Sequence, residues 1–150
     1  FEQTYRPAMG IERMRVGTPP VLQLTALESA LAVWNGVDMA DVRAASIRLT
    51  DLFIAQVEKR CSSLTLFSPR NGADRGSQVS FACDNGYPVM QALIARNVIG
   101  DFRAPNLIRF GFTPLYIDEA DVIGAVDILA DVLDNRLWDD PAYKAKGRVT

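Results

Sequence analysis

Arg109 stands between Ile108 and Phe110 in a short apolar stretch, and a guanidinium held among such neighbours needs an anionic partner. Its planar fork fits a carboxylate with two parallel hydrogen bonds, which suits an amino-acid ligand. The plainer alternatives are a structural salt bridge to one of the chain's 18 acidic residues, or simple exposure on an edge strand. Gly17-Thr18-Pro19-Pro20 offers a second kind of chemistry, because free amides and a hydroxyl at a helix start make an anion site. Pro19 and Pro20 remove two of the first NH donors, so an anion there would depend on the Thr18 hydroxyl and the amides of Gly17, Thr18 or Val21. The competing view is that Thr18 caps the helix and the prolines start it. Arg75-Gly76-Ser77 reads as a hairpin turn in which Gly76 supplies a positive φ.

The other reactive side chains narrow the options. There is no His, which removes the commonest general base near neutral pH. Lys59 closes a charged helical turn and Lys144 and Lys146 lie in a polar tail, so none has the desolvated setting that lowers an amine pKa. Cys61 and Cys83 are the only thiols, too few for a disulfide framework or a four-ligand zinc site, and they read as ordinary core or near-surface residues. No metal is expected, and any proton chemistry must come from Lys, Tyr, carboxylates, a cofactor or another part of the polypeptide.

At 150 residues, 49% hydrophobic and 23% charged, the chain has the apolar stock for one packed core. The formal net charge is -2 and the basic residues are scattered, so no electrostatic footprint for nucleic acid is present and a small molecule or a protein is the expected partner. No apolar run reaches the roughly 18 residues of a membrane span and no signal segment opens the chain, so a soluble, cytoplasmic protein without membrane association is expected. The chain begins at Phe1 rather than Met, which reads as a piece of a longer protein.

Apolar residues at Val21, Leu24, Leu27, Leu31 and Trp34 recur at helical spacing up to Asn35-Gly36, predicting a helix N-capped by Thr18. Residues 13 to 16 read as a short strand entering it. A second helix starts at Asp38 with Val42, Ala45, Leu49, Leu52, Phe53 and Val57 on one face and Lys59 and Arg60 in its last turn. A tight Gly36-Val37 turn makes the two a hairpin-like pair. Beyond Cys61 the texture changes: Leu64, Leu66 and Phe67 suggest one strand, and residues 78 to 81 a second, antiparallel to it. Asp84 or Asn85 then caps a helix carrying Val89, Met90, Leu93 and Ile94; residues 97 to 105 form a loop, and Leu107 to Phe110 a short strand. Asp118 caps a last helix with a buried stripe of Val122, Ala125, Leu129, Val132 and Leu133. The tail, 139–150, is polar and expected to be frayed or loosely docked. The expected class is α+β: a small, mostly antiparallel sheet with helices on one face, preceded by a long-helix pair.

Several motifs occur in a fixed order: Arg6-Pro7-Ala8, Gly10-Ile11, Gly17-Thr18-Pro19-Pro20, Asp74-Arg75-Gly76-Ser77-Gln78-Val79-Ser80, and Ile108-Arg109-Phe110 followed by Pro114-Leu115-Tyr116. In that order they resemble the C-terminal third of kynureninases, pyridoxal-phosphate hydrolases of the type I fold. The resemblance covers nearly all of the chain, which makes it far more specific than any one tetrapeptide. It implies that residues 1–36 continue from a large domain and carry a bridging helix, and that 37–138 form the C-terminal small domain. It implies a homodimeric enzyme with its active site at the subunit interface, cleaving L-kynurenine with water into anthranilate and L-alanine in tryptophan catabolism and the kynurenine pathway toward NAD. In this scheme Arg109 binds the substrate α-carboxylate, and Thr18 contacts the phosphate of pyridoxal 5'-phosphate across the dimer interface.

The resemblance also implies that position 17 lies at the substrate. Animal members carry Ser-Asn where this chain has Gly17-Thr18, which points to the bacterial branch and to unmodified kynurenine rather than its 3-hydroxy form. The lysine that carries the cofactor, the Asp that pairs with its pyridine nitrogen and the other phosphate ligands belong to the large domain, so the chain alone is expected to be inactive. The alternatives are the small domain of another type I pyridoxal-phosphate enzyme, such as a cysteine desulfurase or aminotransferase relative, and a non-catalytic interaction or dimerisation domain.

Overall fold

The structure, a computed structural model, describes residues 3–15 and 17–145, in two units that divide between Val37 and Asp38. In the first unit, residues Gly10–Met14 form a 3-10 turn where a strand over 13 to 16 was expected. Gly10 takes a φ of +57°, Arg13 Nε donates to the Gly10 carbonyl at 3.1 Å, and the Arg15 amide to that of Glu12 at 3.0 Å. These local bonds curl the segment; residue 16 lies outside the described residues. Helix α1 spans Val21–Leu31 and tightens into a 3-10 turn at Ala32–Trp34, after which Gly36 turns the chain with φ +79°.

Thr18 does not cap α1. The first helical bond runs from the Leu24 amide to the Pro20 carbonyl at 3.0 Å, which puts Pro20 at the N-cap, with no side-chain cap. A residue that precedes proline is pushed out of the helical region, and both Thr18 and Pro19 precede one, so the helix can begin only after Pro20. No residue of α1 is buried, although its apolar spacing is the one expected.

The second unit holds the sheet and the core. Helix α2, Met39–Arg60, starts where expected because the Asp38 side chain accepts from the Ala40 amide at 2.7 Å, and it ends with Lys59 and Arg60 in its last turn. Strand β1, Thr65–Leu66, pairs antiparallel with β2, Gln78–Ala82. Helix α3, Gly86–Ile94, follows with Asn85 at its N-cap position, although no side chain caps it. Strand β3, Asp101–Arg103, and β4, Leu107–Gly111, form a hairpin whose connection contains a cis Ala104-Pro105 bond. Helix α4, Glu119–Asp134, opens with a reciprocal capping box between Asp118 and Asp121. Residues Pro141–Lys144 of the polar tail form a short helix, α5, capped by Asp140, and Tyr143 packs half-buried against the core.

The sheet order is β1-β2-β4-β3, and every neighbouring pair is antiparallel. Because β2 and β3 both oppose β4, they run parallel to each other, with α3 as the crossover and β4 inserted between them. β3 lies in what was expected to be a loop. It is three residues long with a charge at each end, so its one apolar side chain, Phe102, gives no alternation to read.

Alternation then divides the sheet into two faces. Val79 and Phe81 on β2 sit opposite Phe110 and Ile108 on β4 and are buried under α2, α3 and α4. Phe53 of α2 is the hub, with ring centroids 4.9 Å from Phe110, 5.1 Å from Phe112 and 6.0 Å from Phe81. The expected α2 face holds at Leu49, Phe53 and Val57; Ser46, Thr50 and Ile54 are buried besides. On α3 Ile94 is exposed and Ala92 takes the buried place, and on α4 Val126 and Ala130 join Val122, Leu129 and Val132.

Candidate functional site

Arg109 sits at the middle of β4, a central strand, flanked by Ser80 of β2 and Asp101 of β3. It projects from the face opposite the core, since Ile108 and Phe110 on either side are buried inward. Exposure on an edge strand is thereby excluded. Its guanidinium closes on Asp101 in a side-on fork, Nε donating to Oδ1 at 2.6 Å and Nη2 to Oδ2 at 2.5 Å. Among the described residues nothing accepts from Nη1, so the end-on edge of the fork stays open, and the side chain is 27% exposed. Arg109 holds the Asp101 carboxyl below the usual carboxylate range, chiefly by these hydrogen bonds, and Asp101 in turn raises the Arg109 pKa. Arg103 Nη2 approaches Asp101 Oδ2 at 3.3 Å, giving the Arg-Asp-Arg cluster a net charge of +1.

A depression of about 270 Å³ surrounds this fork, lined by Gln78, Ile99, Gly100, Asp101, Arg109 and Gly111 among others. Gly100 is required by packing: a Cβ there would lie 2.5 Å from the Arg109 carbonyl oxygen and 2.8 Å from Met90 Cε. This close approach lets β3 lie against β4 with Asp101 opposite Arg109. A larger cleft of about 530 Å³ adjoins it between residues 96–99, the end of β4 and the start of α4. Its charged groups are already committed: Asp121 to the α4 capping box, and Arg96 to the Ala92 carbonyl at 2.9 Å.

Gly17 and Thr18 lie in the first unit and Arg109 in the second. Both residues of the pair are exposed, a Cβ at Gly17 would meet no atom within 4 Å, and among the described residues the Thr18 hydroxyl has no hydrogen-bond partner. Lys59 is exposed, and Lys144 pairs with Asp139 at 2.5 Å; Lys146 lies outside the described residues. Cys61 and Cys83 are both buried, and burial pushes the Cys61 thiol up to about 11 and the Cys83 thiol up as well, so neither is a thiolate nucleophile at neutral pH.

Arg75 departs from its expected place in a simple turn. Its side chain is 2% exposed and ties residues 69–75 to α2, donating to Thr50 Oγ1 at 3.0 Å and the Pro69 carbonyl at 3.2 Å, and to Asp51 and the Arg70 carbonyl. Gly76 does not have a positive φ; the turn is held by Arg75 and by Arg43, which donates to the carbonyls of Gly72 and Arg75. Sequence reasoning also missed Asp101 as the partner of Arg109. The available signal was the Pro105-Asn106 turn between two short stretches, which sets Asp101 eight residues before Arg109 and across a hairpin from it.

Sheet and one-sided helices define an α+β domain, and the sheet face away from its core carries a carboxylate-bound arginine. Residues 42–129 match the family model described as kynureninase C-terminal domain. Among curated relatives, a kynureninase of Pseudomonas fluorescens is 48% identical over 152 residues, covering all of this chain. Kynureninases of Burkholderia mallei and Burkholderia pseudomallei are 46% identical over the same span. The chain belongs to the kynureninase family, by its C-terminal domain, and spans 36% of the length of these relatives. Among the described residues, no helix is long and apolar enough to cross a membrane, and no cluster of His, Cys, Asp or Glu could hold a metal ion.

Proposed function

We propose that this chain is the C-terminal part of a cytoplasmic, homodimeric enzyme that hydrolyses L-kynurenine to anthranilate and L-alanine in tryptophan catabolism. The observation that carries this reading is the Arg109 fork, held on the open face of the sheet with its Nη1 edge uncommitted, in a chain that matches kynureninases along its whole length. Arg109 binds the substrate α-carboxylate end-on, which fixes the rotation of the amino acid about its Cα while the rest of the site is supplied by residues outside this chain. Gly17 borders the substrate without a side chain to contact it, which favours kynurenine over its 3-hydroxy form.

Pyridoxal 5'-phosphate, when bound, supplies the electron sink for breaking the carbon–carbon bond. The residues present fit a minor share of its binding. The Thr18 hydroxyl is uncommitted and suited to one phosphate oxygen, while neither described lysine is desolvated. The chain alone is accordingly inactive. Thr18→Ala in the full-length enzyme should raise the cofactor dissociation constant about 10- to 100-fold, the worth of one hydrogen bond to a charged group. A constant equal to the parent's would remove Thr18 from the phosphate site.

Product identity tests the reaction. Full-length enzyme given L-kynurenine and pyridoxal phosphate should release anthranilate, read by its fluorescence, and alanine. Sulfide from cysteine, or a keto acid from an amino acid, with no anthranilate, would assign the chain to a cysteine desulfurase or aminotransferase relative instead.

A further inference from the structure

We propose that Asp101 is a positioning residue for the substrate-binding arginine: it selects which edge of the Arg109 guanidinium meets the substrate carboxylate. The inference rests on the reading of Arg109 as the carboxylate anchor. An arginine on an open sheet face has long, rotatable side-chain geometry and about 2 kcal/mol of rotamer entropy to lose when a ligand orders it. Here that ordering precedes the ligand. Asp101 takes Nε with one oxygen and Nη2 with the other, and this side-on grip consumes one edge of the fork completely. What remains is both hydrogens of Nη1 and the second hydrogen of Nη2, and one hydrogen from each of these nitrogens forms the end-on edge.

The brace is itself built into the backbone. Asp101 and Arg109 are direct partners in the β3–β4 register, and Gly100 lets the strands approach closely enough for the grip to form. Arg103 Nη2 reaches the same Asp101 oxygen, Oδ2, that accepts from Arg109 Nη2, at 3.3 Å. Asp101 also cancels one positive charge beside the ligand, so its worth lies in orientation; a purely electrostatic view predicts the opposite effect on removal, tighter binding of a carboxylate. The two views differ in sign, which makes the experiment decisive.

In the full-length enzyme, Asp101→Ala should raise KM for L-kynurenine about tenfold, with kcat changed less than about threefold, since pre-ordering of the arginine is lost and its charge is kept. Asp101→Asn has nearly the same shape and serves where the Ala variant folds poorly; it retains one acceptor and should give a smaller rise in the same direction. In an Arg109→Ala background, Asp101→Ala should produce no further loss in kcat/KM, because there is no guanidinium left to orient. A KM equal to or below the parent's in both Asp101 variants, with Arg109→Ala still damaging, would overturn the positioning role and leave Arg109 as anchor. An equal loss from Asp101→Ala in both backgrounds would make Asp101 a structural residue only, and overturns it too. A harmless Arg109→Ala would instead remove the anchor reading on which the inference stands.

Discussion

Arg109→Ala in the full-length enzyme is expected to lower kcat/KM for L-kynurenine by about 10²–10³-fold while the absorbance of bound cofactor stays in place. The magnitude follows from losing a two-bond charged contact, at about 1.5–3 kcal/mol for each hydrogen bond to a charged group, less the part that water recovers. The cofactor should remain because, on the proposed reading, Arg109 addresses the substrate. The lost partner leaves Asp101 without its fork, but Asp101 is 46% exposed and still within reach of Arg103, so the fold should survive. Arg109→Lys should recover little, since an ammonium cannot reproduce the side-on grip and the end-on edge together. Steady-state kinetics with the absorption spectrum beside it reads both halves; an unchanged rate, or loss of cofactor as the only defect, would contradict the account.

The second large effect is on stability. Phe53→Ala should remove about 3–5 kcal/mol, seen as a lower midpoint of urea unfolding of the full-length protein. Phe53 is 1% exposed and meets the rings of Phe81, Phe110 and Phe112, so truncation forfeits both apolar burial and three aromatic contacts of about 0.5–1.5 kcal/mol each. Those rings come from the core sides of β2 and β4 and the segment just after β4. The residue under the sheet thus supports the strand that carries Arg109 above it. Phe53→Leu keeps most of the apolar volume and should cost less. A midpoint unmoved by Phe53→Ala would show that this cluster is not the support of the sheet.

How much of this was legible depends on what each element presents. Helices α2 and α4 each have an apolar period long enough to read and an aspartate at the cap position, so their starts at Asp38 and Asp118 were plain. Ser46 and Thr50 escaped notice as buried positions because a polar face of α2 is covered by the 69–77 loop: Arg75 donates to Thr50 Oγ1, and Ser46 Oγ bonds Ser77 Oγ at 2.7 Å. A stripe of apolar residues carries no information about such a cover. Thr18 resembled a cap because its residue type suits one, but the local effect of proline on the preceding residue outweighs that preference. At the site, the unusual setting of Arg109 was visible in three consecutive letters. Its partner was not, because the pairing depends on a hairpin whose outer strand is too short and too charged to announce itself.

The central claim is that Arg109 reads a carboxylate, and the most direct measurement compares L-kynurenine with its uncharged α-carboxamide in the parent enzyme and in Arg109→Ala. The account predicts that the parent prefers the acid by about 100-fold in kcat/KM and that the variant shows almost no preference, both substrates falling to the level of the amide. A variant that keeps the parent's preference for the acid would place carboxylate recognition on other residues and contradict the account.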